Sequence, residues 1–120
     1  MEKETEKTSE TLLFACSGGA EVGELTDLVT RKLFHDGSVV MSCPAAIGGR
    51  VKSVMDRAKR ASRILVLDGC DKDCVCKTLK LAGFTEFIHI RLSDLELFKG
   101  KTRVDKATID KVARHVKSHL

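Results

Sequence analysis

The sequence predicts an α/β domain built on a four-stranded, mostly parallel sheet flanked by helices. Three observations predict it. Short apolar runs recur at Leu12-Leu13-Phe14-Ala15, Val39-Val40-Met41, Ile64-Leu65-Val66-Leu67 and Phe87-Ile88-His89-Ile90. The first three are nearly continuous rather than alternating, as befits parallel strands covered on both faces. Stretches with helical spacing separate them, and strands alternating with helices favour parallel pairing through right-handed crossovers.

Residues 1–10, MEKETEKTSE, are charged or hydroxylated and are expected to form a flexible tail, leaving 11–120 as a single domain. After the first strand, Val22, Leu25, Leu28, Val29 and Leu33 share one helical face, and Gly37 is a natural stop. Val51, Val54, Met55 and Ala58 make a second face; Val75, Leu79 and Ala82 make a third, ending at Gly83. Ser93-Asp94-Leu95 reads as a short turn or helix. Ile109, Val112, Ala113 and Val116 form the last helix, with Asp105 as its expected N-cap. The expected strand order is 2-1-3-4, a Rossmann-like or flavodoxin-like winding that reverses at the first strand.

A chain of 120 residues, 42% hydrophobic, is long enough to bury a core without disulfides or a structural metal. The net charge of +4 is mild but uneven. Residues 50–63 carry Arg50, Lys52, Arg57, Lys59, Arg60 and Arg63 against Asp56 alone, and residues 101–120 are also basic. Nucleic-acid surfaces pair such patches with stacking aromatics. Here tryptophan and tyrosine are absent and the phenylalanines sit in apolar contexts, so a solvated basic face is the reading taken, and nucleic acid is disfavoured as a partner. No apolar run reaches the ~20 residues of a membrane span. The N-terminal segment lacks the apolar core of an export signal. A reducing cytoplasm is therefore the expected compartment.

Five cysteines are the unusual count, and an odd number does not suit a secreted disulfide framework. Cys16, Cys43 and Cys70 recur at intervals of 27 residues, one βα period, each at or just after an apolar strand. All three should reach the carboxyl edge of a parallel sheet, where α/β folds bind ligands. Neighbouring strands lie ~4.8 Å apart, so thiols at this level could converge. Cys74 follows Cys70 by four residues and, with a helix expected to begin near Asp71, lies in its first turn and could point back toward Cys70. Four thiolates would suit tetrahedral zinc, whereas a lone buried cysteine is usually a small hydrophobe. Cys76 would point ~200° away from Cys74 on a helix, so only one of them can face Cys70, and Cys74 is preferred. Gly18-Gly19, Gly48-Gly49 and Gly69 accompany the cysteines and would allow close backbone approach, or would simply make strand-to-helix turns.

Several enzyme signatures are absent. A C-x5-R phosphatase loop would need arginine where Val22 or Gly49 stands, and a C-x3-C-x2-C cluster would need cysteine in place of Lys77. There is no C-x-x-C, H-E-x-x-H, GxGxxG or P-loop. Asp68, ending the third strand, is expected to cap the next helix, with a hydrogen bond to a metal ligand as the alternative. Asp71 and Asp73 would raise a nearby thiol pKa, which favours a metal over a free nucleophile. His89 overlooks the same edge, as a packed or hydrogen-bonded strand histidine or as a metal or substrate group. His115 and His119 are read as solvent-facing, and His35 as a partner of its helix dipole.

The blocks CSGGAEVGEL, IGG after a cysteine, ILVLDGC-x3-C-x-x-KTL-x-x-AG and RLSDL-x-x-x-KG resemble, together and in order, the DGC-domain proteins. These are small prokaryotic proteins named for an Asp-Gly-Cys tripeptide. The resemblance runs from about Leu12 to the last helix. It implies one zinc held by four cysteines, which fall here on Cys16, Cys43, Cys70 and Cys74. It supplies no reaction and no protein partner. Cys76 is a departure, a free thiol or a competitor of Cys74. A sensor, carrier or structural site follows if all four positions are thiolate. Thiol redox or sulfur transfer through Cys16 or Cys70, an iron–sulfur cluster and a small-anion site at the Gly-Gly turns remain as alternatives.

Overall fold

A computed structural model describes residues 6–120. In chain order the elements are β1 (Thr11–Ala15), α1 (Glu21–His35), β2 (Val40–Ser42), α2 (Pro44–Gly48), α3 (Lys52–Arg60), β3 (Arg63–Asp68), α4 (Cys74–Leu81), β4 (Ile88–Arg91), a 3₁₀ turn (Leu92–Leu95) and α5 (Lys106–Lys117). The four strands form one parallel sheet in the order β2-β1-β3-β4. The class is the one that the alternating runs and helices predict, and the strand order is the expected 2-1-3-4.

The register explains why the inner strands read as continuous apolar runs. In β1–β3, Leu12 pairs with Ile64, Leu13 with Leu65 and Phe14 with Val66. Alternate residues feed two separate cores. Leu13, Leu65 and Leu67 pack with Val22, Leu25, Val29 and Leu33 of α1 and with Val112 and Val116 of α5. Leu12, Phe14, Ile64 and Val66 pack with Ile47 of α2, Ala58 of α3 and Val75, Cys76 and Leu79 of α4. Both faces are covered, so neither inner strand needs a polar side. Each fully buried leucine contributes roughly 1.5–3 kcal/mol.

Local signals set most boundaries as expected. Gly37 takes φ +85° just after α1 and Gly83 takes φ +97° just after α4. Asp105 caps α5 in a capping box: its carboxylate accepts the Thr108 N–H at 3.0 Å, and the Asp105 N–H donates to Thr108 Oγ1 at 3.0 Å. Two features differ from expectation. The Gly48-Gly49 turn is preceded by the short helix α2, started by Pro44 in its first turn, where the fixed φ of proline is already helical. Five residues carry too little periodicity to announce it. Helix α4 begins at Cys74 rather than near Asp71, because Asp73 adopts a left-handed conformation, φ 56° and ψ 43°.

Of the expected tail, residues 1–5 lie outside the described residues. Lys7 Nζ donates to the Lys59 carbonyl at 3.0 Å, and the Glu10 carboxylate takes both Arg57 Nε (2.9 Å) and Nη2 (2.6 Å). Among the described residues, no helix is long and apolar enough to cross a membrane.

Helices α1 and α5 are also tied by charge. Lys117 Nζ lies 3.0 Å from Asp36 Oδ2, and Lys32 Nζ 3.6 Å from Asp110. Hydrogen bonds from Ser38, then from Lys117, hold the Asp36 carboxyl down at about 2. A depressed carboxyl favours the fold fully above its ordinary value near 3.8, and that contribution fades as pH falls through about 2. An NMR titration of the Asp36 carboxyl is therefore expected to give a midpoint near 2. A midpoint near 3.8 would mean that the Ser38–Asp36–Lys117 contact does not persist in solution.

Candidate functional site

All four cysteines of the proposed set stand at the carboxyl edge of the sheet. Cys16 directly follows β1, and its N–H donates to the Leu67 carbonyl of β3 at 3.0 Å, extending the ladder by one residue. Cys43 directly follows β2 and is the N-cap residue of α2. Cys70 lies two residues past β3, and Cys74 is the first residue of α4. Cys16 and Cys70 are partly exposed, and Cys43 and Cys74 are exposed. Cys76 is buried in the apolar cluster beneath α4.

The thiols share a level but not a face. Cys16 packs against the α2–α3–α4 cluster, whereas Cys70 packs against the α1–α5 cluster. Cys16 and Cys43 line one cavity of about 480 Å³ together with Ser17, Asp27, Arg31 and Met41. Cys70 lines another of about 380 Å³ with Asp71, Lys72, Ser93 and Phe98.

Crowding behind Cys16 explains two of the glycines. A Cβ on Gly23 would lie 2.5 Å from the Gly18 nitrogen and 2.7 Å from its oxygen. A Cβ on Gly69 would lie 2.9 Å from the carbonyl carbon and oxygen of Val22. The start of α1 is thus wedged between the Cys16 turn and the segment leading to Cys70. Ser17 takes a left-handed φ of 51° within this turn. Its N–H donates to Thr26 Oγ1 (3.3 Å) and its hydroxyl to Asp27 Oδ1 (2.9 Å), while Arg31 Nε donates to Asp27 Oδ2 (2.7 Å). The Arg31 hydrogen bond, helped by Ser17, holds the Asp27 carboxyl below its ordinary range against the opposing effect of burial. The cavity wall beside Cys16 therefore carries a fixed ion pair.

Asp68 organises the opposite side. It is 1% exposed, and its carboxylate accepts three hydrogen-bonding groups. Oδ1 takes the Val75 N–H at 2.9 Å, and Oδ2 takes the Cys76 N–H at 3.1 Å and contacts His89 Nε2 at 2.8 Å. Val75 and Cys76 are the second and third residues of α4, whose N–H groups have no partner within the helix. Asp73, the formal N-cap, makes no side-chain capping bond, so Asp68 caps α4 from the adjoining strand. The carboxylate also sits where the helix dipole favours negative charge. Asp73 Oδ1 lies 3.8 Å from His89 Nε2, and Asp73 Oδ2 lies 3.6 Å from Arg91 Nη1. Asp68, Asp73 and His89 present ligand atoms all within 4.8 Å of one another. Among the described residues they are the one group of three or more metal-capable side chains drawn together this closely, and it contains no cysteine.

Comparison with known proteins shows the family of the chain. Residues 12–116 match the DGC domain. The chain belongs to the DGC-domain family. It is 35% identical over 88 residues to the anaerobic and virulence modulator AnvM of Pseudomonas aeruginosa, covering 73% of this chain and 67% of that protein. No solved structure matches.

In this DGC domain the tripeptide is Asp68-Gly69-Cys70, and the structure gives its first two residues distinct tasks: Asp68 caps α4, and Gly69 admits the backbone of α1. The expected capping role of Asp68 and the hydrogen-bonded role of His89 are both present. Asp73 was legible only as a charge near the cysteines. Its place beside His89 depends on the left-handed turn before α4, for which the sequence carries no signal such as glycine. His115 on α5 and His119 just beyond its end meet edge to face with ring centroids 5.1 Å apart, and the His119 carbonyl accepts from Arg63 at the start of β3, away from this edge.

Proposed function

We propose that this DGC domain binds one zinc ion through Cys16, Cys43, Cys70 and Cys74, as a sensor, carrier or structural centre in the cytoplasm. The observation that supports it is the partition of the cysteines: four stand at the ligand-binding edge with solvent access, and the fifth is core. Thiolate sulfur suits zinc, and a bound Zn²⁺ would keep the thiols deprotonated beside Asp71 and Asp73. A site closed by four thiolates leaves no position for a reacting water, so hydrolysis is not part of the reading. A relative named as a modulator agrees with a sensing role. Because Cys16 and Cys70 pack against different faces, holding one ion requires the Cys70–Cys74 segment and the Cys16 turn to draw together.

Thiol chemistry is the second reading, favoured by one observation. Cys16 and Cys43 share a cavity whose wall is the Asp27–Arg31 pair, an arrangement that could take a small polar substrate without metal. Anaerobic purification with metal and sulfide analysis separates the readings. About one zinc per colourless chain is expected. A brown protein with iron and sulfide would mean a cluster instead. Metal-free protein with a thiol of low pKa would mean redox or sulfur transfer.

A further inference from the structure

The carboxyl edge also carries a metal-binding geometry without sulfur, and one of its atoms is otherwise unexplained. Asp73 Oδ1 is fully buried and has no hydrogen-bond partner. Arg91 does not satisfy it, since that guanidinium lies 3.6 Å from the other oxygen, Oδ2. A buried carboxylate oxygen without a partner is costly, and a bound cation would remove that cost. The orphaned oxygen faces His89 Nε2 at 3.8 Å, and Asp68 Oδ2 faces the same nitrogen at 2.8 Å. Four-coordinate zinc with nitrogen and oxygen ligands at about 2.0–2.1 Å keeps neighbouring ligand atoms roughly 3.3 Å apart. The 3.8 Å separation lies near that value, and the 2.8 Å one is a hydrogen bond whose Nε2 proton an ion would replace, with the imidazole proton then on Nδ1.

The three ligands rest on firm supports. Asp68 and His89 lie on neighbouring strands β3 and β4, and Asp68 is pinned by two N–H groups of α4. Asp73 is held at the turn that starts the same helix. Two carboxylates and an imidazole form a nitrogen–oxygen donor set that suits first-row divalent metals rather than soft ones, with Arg91 offsetting part of the charge on Asp73.

We propose that Asp68, Asp73 and His89 bind a first-row divalent cation at a site separate from the thiols. Three protein ligands leave at least one coordination position for water. Its ion would be a second one, beyond the one thiolate-bound zinc expected above, and although neither site requires the other, they share the segment from Cys70 to Cys74 that carries Asp73.

Cobalt(II) titration of the chelator-treated 120-residue chain tests this, because thiolate-bound cobalt shows a sulfur-to-metal charge-transfer band and cobalt on oxygen and nitrogen does not. The native chain is expected to take up a sulfur-free equivalent. His89→Gln and Asp73→Asn should each weaken that equivalent at least tenfold while leaving any charge-transfer band in place. A variant with serine at positions 16, 43, 70 and 74 should keep it. Should that variant fail to fold, the comparison with native thiols decides alone. Cobalt bound only without the charge-transfer band would support this site and contradict the cysteine reading. Cobalt uptake by His89→Gln and Asp73→Asn equal to that of the native chain, or no sulfur-free equivalent at all, would overturn the proposal.

Discussion

Replacing Asp68 by alanine is expected to destabilise the domain by about 3 kcal/mol or more, among the largest effects of any single substitution in it. The carboxylate is 1% exposed and is the acceptor for two helix N–H groups and a histidine. Alanine leaves the Val75 and Cys76 N–H groups buried without partners, at about 1–3 kcal/mol for each orphaned group. It also removes a negative charge from the start of α4. Domains of this size have only about 5–15 kcal/mol of total stability, so the loss is a large share. Asp68→Asn keeps one carbonyl acceptor and should lose distinctly less. Chemical denaturation of the two variants measures the difference. Equal midpoints for Asp68→Ala and the native chain would show that α4 does not depend on this cap.

Gly23→Ala is the second. Three backbone atoms of Gly18 would lie between 2.5 and 2.9 Å from the new Cβ, and backbone cannot swing aside as a side-chain tip can. The start of α1 must move away from the Cys16 turn, at a cost of about 3 kcal/mol, the upper end of ordinary overpacking. Gly69→Ala meets the Val22 backbone in the same way at 2.9 Å. Gly19→Ala is the control: nothing lies within 4 Å of its Cβ, and its stability should match the native chain within experimental error. Thermal or denaturant unfolding of the three variants should rank Gly19→Ala above both others. Equal stability of Gly19→Ala and Gly23→Ala would contradict the close packing at this edge.

Much of the fold was legible because the chain states it through burial. Leu12 to Ala15 and Ile64 to Leu67 are continuous apolar runs, since β1 and β3 are central and covered on both faces. The placement of Cys16, Cys43 and Cys70 at one edge follows from the βα period alone. Which face each thiol takes does not, because it depends on how the turn after each strand is wound. Cys70 comes two residues beyond β3 after a glycine that lets α1 approach, while Cys16 comes immediately after β1. The grouping of Asp68 with His89 was legible only in part. Asp68 ends β3 and His89 is the second residue of the neighbouring β4, but the register that brings Val66 opposite His89, and so Asp68 within reach of its ring, is set by tertiary packing. Asp73 was less legible still. The left-handed turn that delivers it is imposed on an aspartate, one of the few residue types besides glycine that tolerates it.

Metal content across single Cys→Ser variants at positions 16, 43, 70, 74 and 76, each purified anaerobically as the full chain, tests the zinc reading most directly. Cys76 is core and should be dispensable for metal, so Cys76→Ser should keep its zinc even if it loses stability. Serine at 16, 43, 70 or 74 should each lower zinc well below the native amount, because a neutral hydroxyl is a poor replacement for a thiolate ligand. Full zinc retained after Cys43→Ser or Cys70→Ser would contradict the four-thiolate site.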